Sequence, residues 1–116
     1  KTMKSLVDNI AILVDDLDVA EKWYTKNLKA EVEFRDGYYI RLRLRNTTLA
    51  LIDKNKYPHA HVGILVEEYK DLPSNLGEVV HHRDGTSGVY AKDPFGNYLE
   101  YIWYSEDQKK VFLKDD

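Results

Sequence analysis

The chain has no cysteine in its 116 residues, which excludes disulfides, thiolate metal sites and cysteine nucleophiles. That absence fits a reducing compartment, so a cytoplasmic protein is expected. No apolar run approaches the roughly 20 residues that span a bilayer, and no secretory leader is visible. Lys1 rather than methionine opens the sequence, which suggests a trimmed N-terminus. Basic residues form no block, and 17 Lys and Arg against 20 Asp and Glu give a net charge of −3, so no nucleic-acid or membrane partner is indicated. Against these shortages stand nine tyrosines and two tryptophans, material for a ligand pocket or for a core. The length predicts one domain, 1–116, that buries roughly two thirds of its unfolded surface.

One stretch orders the rest: Asp93-Pro94-Phe95-Gly96-Asn97-Tyr98-Leu99-Glu100-Tyr101-Ile102. Pro94 presets φ near −65° and Gly96 is free to take φ > 0, so the first half reads as a tight turn. Tyr98 to Tyr104 are strand formers except Glu100. Alternation puts Tyr98, Glu100, Ile102 and Tyr104 on one face and Leu99, Tyr101 and Trp103 on the other. A carboxylate in so apolar a strand is paired, metal-bound or wet. From this stretch alone, a carboxylate facing water is the plainer reading.

From the start of the chain, Ser5 to Val14 reads as a strand. A helix follows, with Asp18 as the expected N-cap, Glu21 three residues on, and an apolar stripe of Ala20, Trp23, Tyr24, Asn27 and Leu28. Trp23 and Leu28 are expected to pack on Ile10, Ile12, Leu49 and Leu51. Three strands come next: Glu31 to Arg35, Tyr39 to Arg45 and Thr48 to Ile52. A two-residue turn at Asn46-Thr47 would set Leu44 opposite Leu49, Leu42 opposite Leu51 and Arg43 opposite Ala50. A three-residue loop at 36–38 would set Phe34 opposite Ile40, Glu33 opposite Arg41 and Glu31 opposite Arg43. Both registers keep apolar beside apolar and pair opposite charges. The result is a β-α-β-β-β unit over 5–53 with its helix on the leucine face.

The same pattern recurs over 59–104. His59 to Val66 matches the first strand, with His61 where Asn9 stood. Glu67 to Leu76 takes the helix's place but carries Pro73, so that helix is expected to be abbreviated. Gly77 to Arg83, Ser87 to Lys92 and Asn97 to Tyr104 supply three more strands. Residues 105–116 read as a charged tail in which Val111, Phe112 and Leu113 are placed to dock it. His81 and His82, as strand neighbours, would point to opposite faces and read as ordinary sheet residues.

Three segments carry a family resemblance: Asp8-Asn9-Ile10-Ala11-Ile12 with Asp16-Leu17 and Trp23-Tyr24; His61-Val62-Gly63-Ile64; and Asp93 to Glu100. In order and spacing the chain resembles the vicinal oxygen chelate superfamily, which includes glyoxalase I, bleomycin-resistance proteins, fosfomycin-resistance transferases and extradiol dioxygenases. The resemblance implies an α+β fold: two β-α-β-β-β units forming an open, barrel-like, mixed sheet of eight strands with helices outside. It also implies a concave active site and a homodimer.

The family's metal positions fall on Asn9, Ala50, His61 and Glu100. Only His61 and Glu100 match the usual ligands; alanine cannot bind a metal, and an asparagine amide is a poor ligand for zinc, iron, manganese or nickel. Arg43, in the row Arg41, Arg43 and Arg45, is the expected positive group beside Ala50. Tyr90 is placed in the cavity by the family register, although simple pairing across the glycine turn puts it on the other face unless a bulge intervenes. Asn9, Arg43, Ala50, His61, Tyr90 and Glu100 are thus the candidate cavity residues. Two functional classes follow. One is a small-molecule-binding protein with an incomplete metal site. The other is a divalent-metal-dependent lyase, isomerase, thiol transferase or dioxygenase using His61 and Glu100.

Overall fold

The computed structural model describes residues 4–112. The fold is α+β, with eight strands in mixed arrangement and two α-helices. In chain order these are β1 (Val7–Val14), α1 (Leu17–Leu28), β2 (Glu31–Arg35), β3 (Tyr39–Arg43), β4 (Thr48–Asp53), β5 (His61–Val66), β6 (Val79–His81), β7 (Ser87–Lys92), β8 (Tyr98–Trp103) and α2 (Glu106–Phe112). They fall into two compact units, Val7–Val62 and the rest of the described chain.

In the first unit the strand order is β2-β3-β4-β1, with β1 parallel to β4 and the other pairs antiparallel. One face is apolar: Ile40, Leu42, Leu49 and Leu51 are buried with Ala20 and Ala30, and Ile12, Val14, Leu17 and Tyr24 pack against them. The helix therefore covers the leucine face, as alternation predicts. It does so with Leu17, Ala20 and Tyr24, spaced three and four apart. Trp23 is 56% exposed, and Leu28 and Ile10 are also exposed, so the expected packing of Trp23 and Leu28 on the sheet is overturned. The cause lies in the phase of the helix. At about 100° per residue, Trp23 falls roughly 60° from Ala20 on the side away from Leu17 and Tyr24. Asp16, not Asp18, is the N-cap, accepting a hydrogen bond from the Val19 amide at 3.1 Å. Asp18 and Glu21 instead both bind Arg35, each at 2.6 Å. Lys29 closes the helix in the left-handed conformation, φ 52°.

Both hairpins differ from the expected register. The β3–β4 turn is Arg45-Asn46, closed by the Leu44 amide donating to the Thr47 carbonyl at 2.9 Å. Leu42 consequently lies opposite Leu49, Ile40 opposite Leu51 and Arg41, not Arg43, opposite Ala50; Arg43 faces Thr48. The slip is two residues, so every side chain keeps its face. The β2–β3 turn is also tighter than expected, with Arg35 opposite Ile40 and Phe34 opposite Arg41. A bulge at Glu33 absorbs the difference and restores Glu31 opposite Arg43.

In the second unit the order is β5-β8-β7-β6. The position of the second helix holds only a 3₁₀ turn, Tyr69–Asp71, ahead of Pro73. Its core joins Val66, Leu72 and Val89, with Val79, Tyr101 and Trp103 packed against them. Tyr69 meets Trp103 edge-on at 5.2 Å. Residues 93–97 make the glycine turn: the Asp93 carboxylate accepts from the amides of Phe95 and Asn97, and Gly96 takes φ 93°. Pro94 to Gly96 form a three-residue loop, which brings Lys92 opposite Tyr98 and Tyr90 opposite Glu100. The charged tail is helical over Glu106–Phe112, and Gln108 lies against Gly85, where a Cβ would collide with its amide. The expected docking of Val111, Phe112 and Leu113 falls outside the described side chains.

Candidate functional site

The face of the first unit opposite the leucines is built in rows, because directly paired residues share a face. Arg41, Ala50 and Ala11 make one row across β3, β4 and β1. Arg43, Thr48 and Asn9 flank it on one side; Tyr39, Ile52 and Leu13 flank it on the other. Two alanines side by side leave a low floor, with Tyr57 and Tyr39 packed at its apolar end.

At the polar end the charges are withdrawn from water. Arg41 is only 5% exposed, and its Nε donates to Glu33 Oε1 at 2.8 Å. Arg43 Nε donates to the other oxygen of the same carboxylate at 3.0 Å. The bulge explains how one residue serves both: the extra residue on β2 swings Glu33 between two arginines. Asp8 adds a second carboxylate, 3.9 Å from Arg41, and accepts from the Asn9 amide at 2.7 Å. Thr48 donates to the Asp8 carbonyl at 3.0 Å. Buried charges persist only when paired and hydrogen-bonded in this way.

The second unit holds a polar group of its own. Glu100 is buried, and its Oε2 lies 2.5 Å from His82 Nε2. Tyr90, directly opposite Glu100, meets the His82 ring edge-on at 6.0 Å. Gly88 makes room for the carboxylate: a Cβ there would collide with Glu100 Oε2. Burial pushes the His82 imidazole down, and Arg83 adds to this. The hydrogen bond and charge of Glu100, with the charge of Asp84, outweigh both, so its pKa lies above the ordinary 6.5. His81 turns the other way, with Nδ1 2.9 Å from Ser87 Oγ.

The expected site residues fall in both units. Asn9, Ala50 and Arg43 share the first unit's face with Arg41, Glu33 and Asp8, which the sequence reading did not single out as site residues. His61 is buried at the start of β5, its ring 5.7 Å from that of His59. Tyr90 and Glu100 belong to the His82 group. His82 was missed because it follows β6 in a loop, where strand alternation does not apply.

A divalent metal does not fit the donors at the family positions. Ala50 offers none, the Asn9 amide is engaged with Asp8, and Glu100 Oε2 is held by His82. Among the described residues no three His, Asp or Glu side chains are grouped to hold an ion.

No family model and no curated protein matches the sequence. Solved structures do share the fold. A glyoxalase/bleomycin resistance protein/dioxygenase superfamily member from Vibrio splendidus 12B01 aligns with a TM-score of 0.62 at 12% identity, over 86% of this chain and 99% of its own. Methylmalonyl-CoA epimerase from Mycobacterium tuberculosis aligns at 0.67 and 17%, over 92% and 95%. A methylmalonyl-CoA epimerase solved with methylmalonyl-CoA aligns at 0.70 and 14%, over 90% and 97%. The fold is therefore that of the vicinal oxygen chelate superfamily, as the sequence resemblance implies. No helix is long and apolar enough to cross a membrane among the described residues.

Proposed function

We propose that the protein binds a small organic molecule bearing a carboxylate or similar planar anion on the polar face of its first unit, without using a metal. One observation carries this reading: two guanidinium groups, Arg41 and Arg43, converge beside a floor of Ala50 and Ala11. Arg41 is locked in place by Glu33 and Asp8, while the Arg43 side chain stays one-third open to solvent and so can meet a ligand. A guanidinium fork matches a carboxylate or phosphate in shape and charge. Tyr39 and Tyr57 at the apolar end would supply contact area. A structure of the same fold has been solved with methylmalonyl-CoA, whose acyl group bears a free carboxylate, which supports the class of ligand though not its identity. On the same reading the protein is a cytoplasmic homodimer, a light-scattering mass at micromolar concentration being the check.

The test compares benzoate with benzamide, equal in shape and differing in charge, by calorimetry on the wild type and Arg43→Gln. Benzoate should bind, benzamide should not, and Arg43→Gln should weaken benzoate about tenfold, equivalent to ~1.4 kcal/mol. Equal binding of the two probes would overturn the reading. So would a stoichiometric transition metal in protein purified without chelator, lost in Glu100→Ala, which would favour the metal-dependent enzyme. Zinc bound by Asn9→His/Ala50→Glu and not by the wild type would support the proposal.

A further inference from the structure

We infer that the outer face of α1, centred on Trp23 and lined by Lys22 and Lys26, is a docking surface for a short acidic segment of another protein that carries an apolar side chain. This does not rest on the anion-binding reading of the opposite face of the sheet.

Helix spacing builds the surface. Val19 and Trp23 lie one turn apart on the side of α1 away from Leu17 and Tyr24, and each has a lysine three residues on, Lys22 and Lys26. Val19 is 65% exposed and Trp23 56%. The Trp23 ring is nevertheless held in place, meeting Tyr24 edge-on at 4.9 Å. Lys22, Lys26 and Lys29 are exposed and have no carboxylate partner among the described residues. The acids of the same helix are already engaged: Asp18 and Glu21 both bind Arg35. The C-terminal end of the helix dipole accounts for Lys26 and Lys29, but not for Lys22 or for the exposed apolar pair beside it.

The size and charge of the patch select its occupant. Trp23 and Val19 offer on the order of 200 Å² of exposed apolar surface. Each partner of a stable dimer contributes about 800 Å², so a second copy of this chain is not held by this face. A bilayer surface takes a broad apolar face along a helix, which two side chains do not make, and anionic lipid repels a chain of net charge −3. A peptide segment needs one aromatic anchor and complementary charge around it. Its apolar side chain would lie on Trp23 and Val19, with its carboxylates on the lysines.

Fluorescence anisotropy of fluorescein-labelled peptides on the full chain tests this. Glu-Glu-Leu-Glu-Glu-Phe-Glu should bind saturably, and more weakly as salt rises. Lys-Lys-Leu-Lys-Lys-Phe-Lys should not bind, and Glu-Glu-Gly-Glu-Glu-Gly-Glu should bind about tenfold more weakly than the first. Trp23→Ala and Lys22→Glu/Lys26→Glu should each weaken the first peptide about tenfold. Circular dichroism should not change in either variant, because all three side chains are exposed. The inference is overturned by the absence of saturable binding, by equal binding of the acidic and basic peptides, by no effect of either variant, or by displacement of the peptide with benzoate. A dimer that Trp23→Ala splits, seen by light scattering, would overturn it by giving the face to a second copy. So would co-sedimentation with vesicles of equal phosphatidylcholine and phosphatidylserine that is lost in Lys22→Glu/Lys26→Glu, which would give the face to lipid.

Discussion

The Glu33 carboxylate closes on Arg41 at 2.8 Å with the arginine almost wholly out of water. Glu33→Gln removes a charge 2.8 Å from a buried cation and leaves the Asp8 carboxylate at the longer distance of 3.9 Å. Breaking a buried pair from one side costs about 3–5 kcal/mol, and Glu33 is itself partly exposed, so a loss of about 3 kcal/mol is expected. Urea unfolding measures it. A loss under about 1 kcal/mol would show that the pair behaves as a surface salt bridge.

His82 gives stability a pH dependence of known sign. Its folded pKa is raised above 6.5, so its contribution is fully present below that value and is lost as pH rises through the folded pKa. The stability advantage of the wild type over His82→Gln should therefore be larger at pH 5.5 than at pH 9. Paired denaturation curves at the two pH values check this; a constant gap would contradict it.

Trp23 and Leu51 separate exposure from hydrophobicity. Trp23→Ala should cost less than about 1 kcal/mol, as for a surface site. Leu51→Ala, in the middle of the helix-covered face, should cost about 2–5 kcal/mol. Wild-type Trp23 emission should also respond to added iodide.

The helix start is decided by two neighbouring aspartates. Asp16→Ala removes the cap on the Val19 amide and should cost about 1 kcal/mol. Asp18→Ala loses only an exposed bond to Arg35, which Glu21 also holds, and should cost a few tenths of a kcal/mol. Thermal unfolding of the two variants should rank them in that order.

Strand identity, the leucine face and the abbreviated second helix were legible because alternation and proline act locally. The faces survived even where the register did not, since sliding a turn from Asn46-Thr47 to Arg45-Asn46 moves pairs by two and leaves parity intact. The site was more fragile for the same reason: a slip of two replaces Arg43 with Arg41 beside Ala50. The bulge at Glu33 has no signature in residue type, and the Glu33 bridge to two arginines depends on it. The helix start turned on a choice among Asp15, Asp16 and Asp18, all good caps by composition. His82 lay beyond pattern reasoning, because its partner is fixed by a loop and by the missing side chain of Gly88.

Gln108 of α2 occupies the space over Gly85, in the loop that carries His82. The far end of the chain is therefore not a neutral place for a tag, a dye or an immobilising linker. A load on that helix is expected to reach the loop that carries the imidazole.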